Sequence, residues 1–242
     1  MRPLTLTMTA TALALLTALP AAADRSDAEI KALVLEAIRE NPEIVMEAVG
    51  LIQAEEAEAA AAAAQAALDD GRGALEADPN APVLGNPDGD VTVVEFFDYN
   101  CPYCRRAGDE VKQVLALDED VRVVMREWPI LGEASVFAAR AALAAREQDA
   151  YDRMHEALMS APGRLDEDSV MRIAAELELD TDRLRSDMEG EAVQAHIDQS
   201  MRLAQSLGFS GTPSFVIGDQ TAPGLVEAAQ MLDMIDAVRD GG

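Results

Sequence analysis

Cysteine is nearly absent from this 242-residue chain: there are two, and both fall in one stretch, Cys101-Pro102-Tyr103-Cys104. A chain with so little cysteine has no disulfide framework, so its fold must rest on a hydrophobic core. Histidine is equally scarce, with only His155 and His196. A Cys-x-x-Cys pair is half of a zinc site, but two histidines so far apart in sequence match no common module for the other half. They read as solvated or packed side chains on helices, and no metal site is expected. Basic residues are few, 19 against 45 acidic ones, and the net charge of −26 repels phosphates and anionic headgroups. Nucleic acid is therefore not expected as a partner, and the charge reads as a solubility device. No stretch approaches the roughly 20 apolar residues that a transmembrane helix needs.

Hydrophobic residues make up 49% of the chain, enough for the core of one full domain plus an accessory segment. The start reads as an export leader: Arg2, an apolar run from Thr9 to Leu19, and small residues Ala21 to Ala23 before Asp24. Cleavage near Ala23 is expected to leave a periplasmic or secreted protein, with no nearby cysteine to take a lipid.

Ser26 and Glu29 then form an S-x-x-E capping box ahead of Ile30, Leu33, Val34, Ala37 and Ile38, which recur at helical spacing. Asn41-Pro42 launches a second helix with Ile44, Val45, Ala48, Val49 and Ile52 on one side. That helix runs into the alanine- and glutamate-rich tract Ala54 to Leu68 and is expected to end at Asp69-Asp70-Gly71. Two apolar-striped helices must bury their stripes against a second copy or against their own domain, and the alanine tract suits a semi-rigid spacer equally well. Pro79, Pro82, Pro87, Gly85 and Gly89 mark residues 73–90 as a linker.

From Val91 the β-branched and aromatic run Val91 to Phe97 predicts a buried central strand. The cysteine pair follows, and helical spacing resumes through Val111, Val114 and Leu115. Val121 to Met125 predicts another strand, closed by Trp128-Pro129. Between about Ser135 and Leu207 every segment is helical; Ser214 to Ile217 is a strand that turns at Gly218-Asp219, and a last helix carries Leu225, Ala228, Met231, Leu232 and Ile235. This order argues for an α/β sheet covered by helices.

A structural disulfide gains by closing a long loop, and this pair closes almost none, so it reads as reactive. Cys101 at a helix start faces unpaired N–H groups and the positive end of the dipole, which favour its thiolate. Cys104, one turn on, is placed to attack a mixed disulfide on Cys101. The roles are nucleophile for Cys101 and resolving residue for Cys104. Two thiolates also suit Cu(I), so a copper-binding or client-holding protein that uses the pair as ligands is the alternative.

The run Glu95-Phe96-Phe97-Asp98-Tyr99-Asn100-Cys101-Pro102-Tyr103-Cys104 resembles the active site of the DsbA-like thioredoxin superfamily. The likeness continues at Trp128-Pro129-Ile130-Leu131-Gly132 and at Gly211-Thr212-Pro213-Ser214-Phe215, and covers about Val91 to Arg239. It implies a thioredoxin-like α/β domain at 91–242 with a helical insertion at about 135–207, preceded by the leader at 1–23, a helical N-terminal segment at 24–72 and the linker at 73–90. The helical extension resembles ScsC-type secreted proteins, in which such segments associate into dimers or trimers, so a homo-oligomer through residues 24–70 is expected. The resemblance assigns redox roles to Cys101 and Cys104, and a buried acidic role to Glu95. Thr212 and Pro213, the family's cis-proline loop, are assigned to binding substrate backbone, with Pro102 and Tyr103 beside them.

A carboxylate in an apolar strand would have a raised pKa and suit shuttling the Cys104 proton, while an edge position would leave Glu95 in water. Composition alone reads Thr212-Pro213 as an ordinary trans turn. Tyr103 stands where the best-known members carry histidine, so a cationic neighbour of the thiolate is missing; Arg105 and Arg106 either restore positive potential or are simply solvated. The implied activity is disulfide formation or isomerisation in unfolded or misoxidised secreted polypeptides. It needs no cofactor beyond the Cys101–Cys104 disulfide, and a membrane redox partner resets the pair.

Overall fold

A computed structural model describes residues 26–241, and the expected leader at 1–23 lies outside the described residues. The capping box forms: Ser26 N–H donates to Glu29 Oε2 at 2.9 Å while Glu29 N–H donates to Ser26 Oγ. It starts α1 (Asp27–Glu40), which Asn41 ends by capping the Ala37 carbonyl through its backbone and its side chain. Helix α2 (Glu43–Glu76) follows. The chain divides between Glu55 and Glu56 into two compact units. In the first, α1 has no buried residue, and Ile30, Leu33, Val34, Leu35, Ile44, Val45, Met46, Val49, Leu51 and Ile52 all lie exposed. Among the described residues no helix is long and apolar enough to cross a membrane.

The second unit is built on a five-stranded sheet. Its strands are β1 (Val83–Gly85), β2 (Val91–Phe97), β3 (Val121–Glu127), β4 (Ser214–Ile217) and β5 (Gln220–Pro223), in the spatial order β1-β3-β2-β4-β5. Only β2 and β3 run parallel, joined by α3 (Pro102–Leu117). Between β3 and β4 the chain is helical: α4 (Glu133–Ala144), a short tight turn, α5 (Tyr151–Ser160), α6 (Glu167–Glu176), α7 (Thr181–Asp187) and α8 (Glu191–Ser206). After β4, Gly218 at φ +57° makes the turn into β5, a strand that the sequence did not announce, and α9 (Ala228–Gly241) closes the unit.

Successive strand residues point to opposite faces, and here both faces are buried. Val91, Val93, Phe97, Val121, Val123 and Met125 face α3, α9 and the α4–α7 block. Val94, Phe96, Val124 and Val216 face the end of α2 and α8, through Leu68, Leu75, Leu203 and Leu207.

That second face corrects two expectations. Helix α2 does not stop at Asp69-Asp70-Gly71, and residues 73–90 are not a free linker: Leu75 is wholly buried, and β1 pairs with β3. The reason lies on β3. Arg126, also wholly buried, sends its guanidinium to the carbonyls of Ala74 and Leu75 and pairs with Asp78 at 2.6 Å. A buried cation thus satisfies carbonyls that a helix end leaves open, and the apolar contacts of Leu68 and Leu75 outweigh the local cost of glycine.

Breaking a buried pair strands the other charge. Arg126→Met is expected to destabilise the protein by about 3–5 kcal/mol, measured by urea denaturation, and adding Asp78→Leu should recover part of that loss.

Candidate active site at the start of α3

Strand β2 ends in the loop Asp98–Asn100, and Cys101 is the residue that precedes α3, with Pro102 at the first helical position. Cys101 keeps 6% of its surface, Pro102 and Tyr103 project into solvent, and Cys104 has none. The two sulfurs are not bonded to each other in this structure, and the Cys101 thiol donates to the Thr212 carbonyl at 3.3 Å. The Thr212–Pro213 peptide bond is cis, where composition alone favoured trans. The structure therefore brings together Cys101, Cys104, Pro102, Tyr103, Thr212 and Pro213.

The two sulfurs differ sharply. The Cys101 thiol is lowered to about 5, chiefly by a hydrogen bond from Cys104, with the backbone N–H groups of Cys104 and Tyr103 helping against burial. Burial pushes Cys104 far above the ordinary thiol range. At neutral pH the outer sulfur is a thiolate and the inner one keeps its proton, the division that nucleophile and resolving roles require.

Glu95 is not an edge residue. It sits mid-strand, 1% exposed, and shares a face with Val93 and Phe97, the face against which Cys104 packs. Burial alone raises its pKa to about 8, and its Oε1 has no hydrogen-bond partner among the described residues.

Around the pair lies a second set of polar groups that sequence reasoning did not single out. Asp98 accepts from Asn100 N–H at 2.8 Å and from Leu131 N–H at 3.0 Å, fixing the Trp128–Gly132 segment against the cysteine loop. Asn100 bridges to Ser135 and to both backbone atoms of Leu165. Glu127 Oε1 accepts from the hydroxyls of Tyr99 at 2.9 Å and Tyr151 at 3.1 Å, and the Tyr99 oxygen meets His155 Nδ1 at 3.0 Å. One signal was available for Glu127: it shares strand parity with Val121, Val123 and Met125, so a period of two aims it into their core. Both histidines are buried, His155 in this set and His196 accepting from Glu127 N–H at 3.2 Å. Arg105 is tied to the Tyr99 and Ala161 carbonyls, and Arg106 lies over the Tyr103 ring. Among the described residues no three His, Cys, Asp or Glu side chains gather as metal ligands.

The family model for the DSBA-like thioredoxin domain matches residues 92–236. A solved thioredoxin-like oxidoreductase from Silicibacter pomeroyi DSS-3 is 61% identical, covers 71% of this chain and 99% of its own, and superposes with a TM-score of 0.70. A linker-deletion mutant of ScsC from Proteus mirabilis is 28% identical over 91% of this chain and 100% of its own, also at a TM-score of 0.70. Among curated proteins, the Na(+)/H(+) antiporter NhaA 3 of Salinispora tropica is 36% identical over 137 residues, which is 56% of this chain. This chain spans about a fifth of the length of that relative, 21% of it.

Two measurements check the titrations. Alkylation of the reduced protein by iodoacetamide, followed by stopped flow, should stay level from about pH 7 to 6 and fall to half near pH 5. Cys104→Ala should move that midpoint upward; a wild-type midpoint near 8.5 would contradict the assignment. Folded Glu95 keeps its proton to about pH 8, whereas the unfolded side chain releases it near 4.5, so this group removes stability as pH rises between those values. Glu95→Gln should therefore raise Tm by about 5 °C or more at pH 7.5, with the gain vanishing near pH 4.

Proposed function

The chain belongs to the DSBA-like thioredoxin domain family, and from that premise we propose that it is a thiol-disulfide oxidoreductase acting outside the cytoplasm on secreted polypeptides. The observation that carries the reading is the pair of unlike sulfurs, with a low-pKa Cys101 at the start of α3 and a buried, protonated Cys104 one turn behind. In isomerisation the Cys101 thiolate attacks a client disulfide, forms a mixed disulfide and frees one client thiolate. That thiolate attacks elsewhere in the client, or Cys104 gives its proton to Glu95 and displaces the client, leaving the Cys101–Cys104 disulfide. In oxidation the same steps run backwards, and a membrane partner resets the pair. No further cofactor enters the cycle.

The substrate is a class of extended polypeptides. Thr212 and Pro213 supply backbone contacts beside the sulfur, and Pro102, Tyr103, Ile130 and Leu131 supply exposed apolar surface. Within the first unit, the exposed apolar side chains of α1 and early α2 support self-association through residues 24–70. Several sites held around one client favour isomerisation over single-pass oxidation.

Reactivation of a scrambled-disulfide test protein examines this directly. The full chain should restore activity, whereas a version starting at Glu56, which retains Leu68 and Leu75, should react with small disulfides but reactivate poorly. Equal reactivation would remove the assembly argument. Cys104→Ala should accumulate mixed disulfides with clients, visible on non-reducing gels; loss of bound Cu(I) with no trapped client would instead favour the copper reading.

A further inference from the structure

Glu95 must lose a proton before it can accept one from Cys104, yet it is enclosed by apolar side chains. On the neighbouring strand, Phe97 stands opposite Glu127 and Glu95 opposite Met125, so Glu95 and Glu127 are diagonal neighbours on one face. Each has one carboxyl oxygen without a partner among the described residues, Oε1 of Glu95 and Oε2 of Glu127, and both side chains are 99–100% buried. From Glu127 the contacts continue outward: Oε1 to the Tyr99 hydroxyl at 2.9 Å, then Tyr99 to His155 Nδ1 at 3.0 Å. The His155 ring is stacked on Tyr151 and set edge-on to Phe97, and it lines a surface cavity of about 260 Å³ together with Arg105, Lys112 and Glu156.

We propose that Glu127, Tyr99 and His155 form the proton path between the buried Glu95 and solvent, with His155 as its outer port. The path rests on the redox reading of Cys101 and Cys104. In the outward direction the Tyr99 hydroxyl, which donates to Glu127 at rest, first turns to His155 Nδ1. The protonated Glu127 then gives its proton from Oε1 to the Tyr99 oxygen, the Tyr99 hydroxyl proton moves to His155 Nδ1, and His155 releases one from Nε2 to water; the proton that Glu95 received from Cys104 then refills Glu127 at Oε2. One proton leaves, every relay group regains its starting count, and no electrons move. Glu127, Tyr99 and His155 never touch the sulfurs; they act through Glu95 as positioning residues.

The charges facing the path agree with these assignments. Burial holds Glu127 protonated well above the ordinary carboxyl range, the phenol hydrogen bonds oppose this, and the charges of Asp98 and Glu95 add to it. Burial, then Lys112 on α3, lowers His155 to about 4, with Glu156 opposing. His155 therefore stays neutral at physiological pH, able to take a proton at one nitrogen as it releases one from the other.

The test uses the full-length reduced protein and 5,5′-dithiobis(2-nitrobenzoate). Cys101 displaces the first thionitrobenzoate and carries the second, which Cys104 then releases in a step followed by absorbance between about pH 6 and 9. In the wild type this step should rise with an inflection near pH 8, as Glu95 ionises. His155→Gly should slow it about tenfold or more, with the loss confined to pH below 8, where Glu95 must first be discharged, and added imidazole should restore the rate. Tyr99→Phe, which keeps the ring and removes the hydroxyl, should show the same low-pH loss without imidazole rescue.

Equal slowing at every pH, no slowing, or a His155→Gly loss that imidazole leaves unchanged would overturn the path. Failure of the underlying reading looks different: Cys104→Ala would still release the second thionitrobenzoate, or Glu95→Gln would keep the inflection.

Discussion

Parallel pairing of β2 with β3, with both strands covered on both faces, is the constraint from which the rest of the second unit follows. Because side chains alternate, Arg126 and Glu127, adjacent in sequence, leave β3 in opposite directions. Arg126 reaches the end of α2 and holds the last turn of that helix on the sheet. Glu127 reaches the tyrosine and histidine pocket on the cysteine side. A register slip of one residue would put an arginine into the redox core and a carboxyl group under α2, so the register is fixed by one buried charge and one buried carboxyl as well as by apolar burial.

The same alternation explains how a carboxyl comes to lie beneath a pair of thiols. Glu95 is the one acidic residue in a strand otherwise made of valine, threonine and phenylalanine, and it takes the parity of Val93 and Phe97. Its raised pKa is a consequence of enclosure with no cation at hand, and the neighbouring Cys104 thiol is pushed up by the same enclosure. Cys101 differs because it stands at the helix start, where Cys104 and backbone N–H groups donate to it. Stabilising that thiolate stabilises the reduced state and so favours giving the disulfide away. The arrangement reaches this without the histidine of the best-known relatives: Tyr103 points outward under Arg106, and the hydrogen bonds to sulfur come from the loop itself.

Legibility varied by element for physical reasons. The strands Val91–Phe97 and Val121–Met125 were plain because burial on both faces demands a run rich in β-branched and other apolar residues; the second goes two residues beyond that reading, to Glu127. The helices of the 135–207 block were plain because each has an apolar stripe. The end of α2 was misread because Asp69-Asp70-Gly71 is a stop signal only when nothing holds the helix further on, and what holds it here is Arg126, 51 residues beyond Leu75. Strand β5 was missed because its four residues, Gln220–Pro223, are mostly exposed and carry no apolar pattern; it exists because β4 offers it an edge.

By itself, the sequence determined the covalent spacing of the cysteines, the helix that begins at the first of them, and the parity that aims Glu95, Arg126 and Glu127 to their respective faces. These are local properties, fixed by dihedral periodicity and by which residue starts a helix. Tertiary structure alone decided that the Thr212 carbonyl meets the Cys101 sulfur, that Tyr99 joins Glu127 to His155, and that Arg126 caps a helix begun far earlier, at Glu43. Those contacts bring together groups far apart in the chain, and their geometry follows from packing around a common sheet, which no single segment specifies.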